Sequence, residues 1–143
     1  NNDLDNLKYL GSKFNQPITL SPNLTHLIFG HDFNQSISNL HSNLLYLELG
    51  HEFDQPILYL PTTIRTLSLG SKSTQLVDYL HNGIEMLILQ NGFNTELNNL
   101  PSGIKKILFC RYGEFNKKLN NLPRSVELIQ LPEKYYMEIL VIR

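Results

Sequence analysis

Leu24-Thr25-His26-Leu27-Ile28-Phe29-Gly30, followed by Phe33-Asn34-Gln35-Ser36-Ile37, returns along the chain with an almost constant period. Leu44 to Gly50 and Ile64 to Gly70 superimpose on the first block without gaps, and Ile84 to Leu89, Ile104 to Phe109 and Val126 to Leu131 continue it. Starting residues 24, 44, 64, 84, 104 and 126 are spaced by 20, 20, 20, 20 and 22. A fixed period of this length is the mark of a solenoid, in which each repeat buries its apolar face only by stacking on the next.

Within L-x-x-L-x-L, apolar residues at the fourth and sixth positions alternate as in a half-buried strand. The glycine that follows, as Gly11, Gly30, Gly50 and Gly70, lets the chain bend off the strand at low steric cost. About a dozen residues remain before the next strand, too few for a regular helix and two turns. Extended, 3₁₀ or polyproline-like backbone is therefore expected on the far side. Gln-Pro at 16–17 and 55–56 suits such backbone, and Leu-Pro at 60–61, 100–101 and 122–123 marks the turn into the next strand.

The fold class expected is mainly β: a leucine-rich-repeat-type solenoid of about 20-residue coils, with one short strand per coil in a parallel sheet. Residues 1–143 form one domain, with repeats starting near 4, 24, 44, 64, 84, 104 and 126 and a C-terminal cap at 132–143. The first unit, from Leu4, is irregular, and the polar residues 1–6 make a poor cap, so more repeats or another domain are expected on that side. An opening at Asn1 rather than Met fits a fragment or a processed product.

Coil stacking makes an internal aromatic column of Phe14, Phe33, Phe53, Phe93 and Phe115. Beside it, Asn15, Asn34, Asn94 and Asn116, with Asp54 and Thr74 as variants, are placed to form a polar ladder that satisfies backbone groups at a bend. The fourth repeat departs from the pattern. Ser73 replaces Phe there, and Leu76 and Val77 are candidates to refill the volume.

These blocks closely resemble the FNIP repeat, a leucine-rich-repeat relative found chiefly in social amoebae and in giant viruses of amoebae. The resemblance runs from about Leu4 to Leu131. It implies a substrate-recognition module, the part of an F-box-type ubiquitin-ligase adaptor that faces the substrate, with ligase components as partners where an F-box lies upstream. No F-box is visible in these residues.

Other features narrow the function. A net charge of −1 gives no reason to expect nucleic acid or an anionic membrane as partner. The lone Cys110 cannot form an internal disulfide, which suggests an intracellular, cytoplasmic setting, the host cytoplasm for a viral chain. No apolar run approaches the roughly 18 residues of a membrane span. No nucleophile, phosphate-loop or paired-cysteine motif occurs, so the chain is read as a non-enzyme without cofactor. Gly-His-Asp-Phe at 30–33 and Gly-His-Glu-Phe at 50–53 would stack His31 over His51 and Asp32 over Glu52. Such a set could hold a divalent metal. Because the pattern gives way to Ser71-Lys72, Asn91-Gly92 and Arg111-Tyr112, both pairs are read as surface turn residues, with no metal expected. His41 and His81 stand where other repeats have proline and are likewise read as turn residues. Tyr135-Tyr136, a conceivable platform for bases, lacks a basic groove.

If the fourth and sixth strand positions point inward, the third and fifth face out. Those columns hold His26, Tyr46, Glu48, Met86, Ile88, Lys106 and Leu108, the residues expected to bind a protein partner. Met86, Ile88 and Leu108 fall in adjacent coils, and contiguous apolar residues mark contact surfaces. The alternative function is a structural or assembly protein that self-associates through solenoid ends or the sheet face.

Overall fold

A computed structural model describes residues 6–40, 43–57 and 59–135. Expectations for residues 1–5, for His41, for the Leu76 side chain and for the apolar stretch 136–142 lie outside what it describes. Seven short strands follow one another: β1 (Leu7–Tyr9), β2 (His26–Ile28), β3 (Tyr46–Glu48), β4 (Thr66–Leu69), β5 (Met86–Leu89), β6 (Lys106–Phe109) and β7 (Leu128–Gln130). They pair in chain order into one parallel sheet. The register carries the repeat through space, with Leu27 opposite Leu47, Leu47 opposite Leu67, Leu67 opposite Leu87 and Leu87 opposite Ile107.

Two turns define each coil. The one before the strand closes from Pro61 to Ile64, Pro101 to Ile104 and Pro123 to Val126, the later N–H donating to the earlier carbonyl. The one after it closes from Gly11 to Phe14, Gly30 to Phe33 and Gly50 to Phe53. Between coils the same bonds recur one period apart: the Asp32, Glu52 and Lys72 amides donate to the Ser12, His31 and His51 carbonyls. Among the described residues the far side is irregular, as the short connection requires, except for a 3₁₀ helix at Thr74–Tyr79 in coil 4.

The glycine after the strand answers to a tighter constraint than bending. A Cβ on Gly50 would lie 1.9 Å from the Gly30 carbonyl oxygen, and one on Gly30 would lie 2.4 Å from that of Gly11. Each glycine thus rests on the backbone of the coil before it. None of these has positive φ; among the described residues that conformation belongs to Gly92 alone, at 82°.

The core is a row of fully buried columns: Leu24, Leu44, Ile64, Ile84 and Ile104; Leu27, Leu47, Leu67, Leu87 and Ile107; Phe29, Leu49, Leu69, Leu89 and Phe109. Phe14, Phe33 and Phe53 stack nearly parallel with centroids 6.1 and 6.2 Å apart, the offset arrangement that aromatic quadrupoles favour. The column does not run unbroken. Ser73, 1% exposed, stands in it, and its hydroxyl donates to the Phe53 carbonyl at 3.0 Å. Val77, a candidate to refill that volume, is buried in line with Ile57 and Leu97, in the column next to the rings. At the C-terminal end Phe115 packs on Phe109 and on Tyr135, whose ring centroid is 5.9 Å away. Tyr135 is therefore spent on the core, and its hydroxyl donates to the Lys117 carbonyl.

The asparagine ladder forms. Asn15 Oδ1 accepts the Asn34 amide at 2.9 Å, Asn34 Oδ1 accepts that of Asp54 at 3.1 Å, and Asn94 Oδ1 accepts that of Asn116 at 3.1 Å. Gln35 and Gln55 add their side-chain amides to the same two acceptors. Each asparagine thereby satisfies a neighbouring coil's backbone where no sheet bond reaches.

Candidate protein-interaction surface

Alternation along the strands puts the third and fifth positions on the outer face of the sheet, and pairing brings their side chains into rows. His26 lies against Tyr46, with ring centroids 5.8 Å apart and planes 20° apart. The Tyr46 hydroxyl donates to Glu48 Oε2 at 2.7 Å. Burial pushes the Tyr46 phenol well above its usual range, and the bond to a carboxylate acceptor pushes it further. This phenol stays a neutral donor that fixes the Glu48 carboxylate in place. Farther along, Ile88 pairs with Leu108 and Met86 with Lys106 across β5 and β6. Met86, Ile88 and Leu108 are half-buried, and Lys106 is exposed at their rim.

The face is less uniformly solvated than alternation alone implies. Ser68, in the fifth-position column, is only 1% exposed. Gln90 lies against it, donating from Nε2 to Ser68 Oγ at 2.9 Å and to the Leu49 carbonyl at 3.1 Å. Gln90 occupies a glycine position of earlier coils, and from there its amide spans two coils. Its role arises from coil stacking and leaves no mark in the one-dimensional pattern.

Sequence reasoning also missed the start of the surface. Leu7 pairs with His26 and Tyr9 with Ile28, so both belong to the outer columns, and they are 46% and 62% exposed. Lys8 takes the inward place that Leu27 fills in the next coil. Aligning Leu7-Lys8-Tyr9 with His26-Leu27-Ile28 would have found them, but a lysine in a leucine column hides that frame.

At the C-terminal ends of the strands, Tyr9, Ser12, His31, Glu48, His51 and Gln90 border an open cleft of about 490 Å³. The His31 and His51 rings stack there with centroids 4.9 Å apart. His81 sits in the turn before β5, as its alignment with proline suggested, and accepts the Gly83 amide on Nδ1 at 3.0 Å. Cys110 follows β6 in the glycine column, partly exposed.

Comparison with known proteins agrees with this geometry. Residues 14–41 match the model of the FNIP Repeat family. A solved structure described as a novel circular LRR protein, CroV588, superimposes with a TM-score of 0.73 at 32% identity over 91% of this chain. The chain spans 21% of that protein's length. No curated protein matches the chain by sequence. No helix among the described residues is long and apolar enough to cross a membrane.

Proposed function

We propose, for a chain that is a solenoid of FNIP-type leucine-rich repeats, that it is a protein-interaction module whose partner lies across the outer face of the sheet. The observation that carries this is the pairing of Ile88 with Leu108 beside Met86 on that face. Side chains from successive coils are held there at strand spacing by a continuous sheet, so one partner can touch several repeats at once. Interface energy concentrates in a few apolar and aromatic anchors ringed by polar groups. Tyr46, Met86, Ile88 and Leu108 have that character, with His26, Glu48 and Lys106 available to orient the partner.

In its finer form this reading makes the chain the substrate-recognition part of an F-box-type ubiquitin-ligase adaptor, acting inside the cell and without catalysis of its own. The FNIP resemblance supports that role. Assembly of copies through the sheet face or the coil ends is the second reading, supported by likeness to a circular solenoid and by exposed Leu7 and Tyr9.

One experiment separates them. Met86→Glu combined with Leu108→Glu should abolish capture of partner from a cell lysate and leave the melting temperature within a few degrees. Ser38→Glu with Asn98→Glu, on the far side, should leave capture intact. Loss of binding only in the far-side pair would sink the sheet-face reading. A change in sedimentation of the purified protein on mutating Met86 and Leu108 would favour self-assembly.

A further inference from the structure

His31 and His51 follow the glycine in coils 2 and 3, and their stacked rings are 4.9 Å apart at 11°. A ring nitrogen of each and a carboxylate oxygen of Glu52 all lie within 4.8 Å of one another. Asp32 Oδ1 is 2.6 Å from His31 Nδ1. A neutral ring held this way keeps its proton on Nδ1 and leaves the Nε2 lone pair free. A carboxylate on the far nitrogen is also how metal sites orient a ligating imidazole. The Ser71 hydroxyl lies 2.9 Å from His51 Nε2 and 3.1 Å from its Nδ1, and it can serve only one of them at a time. Lys72 engages Glu52 through Oε2, so Oε1 remains. The adjoining cleft has room for water.

We infer that His31, His51 and Glu52 form a site for a divalent cation of the zinc class, with a fourth position open to solvent. Two imidazole nitrogens and one carboxylate oxygen are a zinc donor set, whereas calcium and magnesium favour oxygen alone. Around a tetrahedral zinc the ligand atoms sit roughly 3.3–3.6 Å apart, from metal–ligand distances of about 2.0–2.2 Å. The ligand atoms already lie within 4.8 Å of one another, and exposed or partly exposed side chains are free to rotate toward a common point. The sequence pattern argued against a metal because it lapses after two repeats. Two adjacent coils, however, supply all three ligands. Once bound, the ion ties coil 2 to coil 3.

Zinc alone, titrated calorimetrically into the whole chain, should bind one ion per molecule, and the melting temperature should rise with free zinc because only the folded chain holds the site. His31→Gln and His51→Gln should each weaken binding at least tenfold and remove the zinc-dependent rise, with the zinc-free melting temperature unchanged. Glu52→Gln should weaken binding too, while Glu96→Gln, a far-side carboxylate, should not. No one-to-one uptake at millimolar zinc, or uptake equal in wild type and His51→Gln, overturns the site.

Discussion

At the turn before β5 the chain carries His81 where other coils have Pro61, Pro101 and Pro123. Its carbonyl still closes the turn by accepting the Ile84 amide at 3.2 Å. With Nδ1 accepting from Gly83, the proton belongs on Nε2, which is buried and makes no hydrogen bond. The Pro61 carbonyl acts the other way and favours the charged ring. Burial nonetheless dominates and, with the Arg65 charge, holds the imidazole below its usual 6.5. The unfolded chain therefore binds more protons as pH falls, so stability is full above about 6.5 and declines below it. The Glu52 and Glu85 carboxylates, held below the usual 4.5 by Lys72 and Lys105, act at lower pH. Leu80 has φ −71° and ψ 139°, the conformation a residue before proline needs. His81→Pro should thus fold and lose less stability than wild type on going from neutral to mildly acid pH. Urea midpoints across that range test this, and parallel slopes in the two chains would exonerate the histidine.

Among the elements, the aromatic column shows best what the repeat dictates and where it yields. Phe53 has a ring neighbour in Phe33 on one side and Ser73 on the other. Phe53→Ala should cost about 3–5 kcal/mol, as buried phenylalanine truncations do. Ser73→Phe restores the consensus but is expected to destabilise by about 1–3 kcal/mol through overpacking. Coil 4 has wound its far side into a 3₁₀ helix, and the Phe53 carbonyl would lose the Ser73 hydroxyl. Denaturant midpoints decide, and a gain in stability would mean the ring-sized space was left open. Strand positions, register and both ladders were legible in the sequence because a constant period maps directly onto stacked coils. Four things were not. Lys8 in a leucine column hid the frame of coil 1. The glycine requirement comes from the preceding coil's carbonyl, which no single repeat reveals. Stacking of His31 on His51 could be read from the period, but the approach of Glu52 depends on side-chain direction. For the sheet face, the period placed Met86, Ile88 and Leu108 side by side, yet burial of Ser68 under Gln90 needed three dimensions.

Across the whole molecule, each coil is joined mainly to its two neighbours, through bonds about one period apart. Three of the columns that bind coil to coil change at the same place. Aromatic stacking stops at Ser73, asparagine ladder bonds run to Asp54 and resume at Asn94, and the glycine column ends at Gly70, with Gln90 and Cys110 after it. The parallel sheet and the aliphatic core pass through unbroken. Coil 4 is thus a fault line: rings, asparagines and glycines stack like on like before it, whereas after it the asparagine bond resumes and Phe115 packs on Phe109 and Tyr135 instead. In an array whose stability is a sum of nearest-neighbour couplings, one weak junction divides cooperativity. Native-state hydrogen exchange should accordingly sort the slow amides into two groups, coils 2–3 and coils 5–6, each opening with its own free energy and denaturant dependence. A single opening shared by both would show that the sheet alone transmits unfolding from one end to the other.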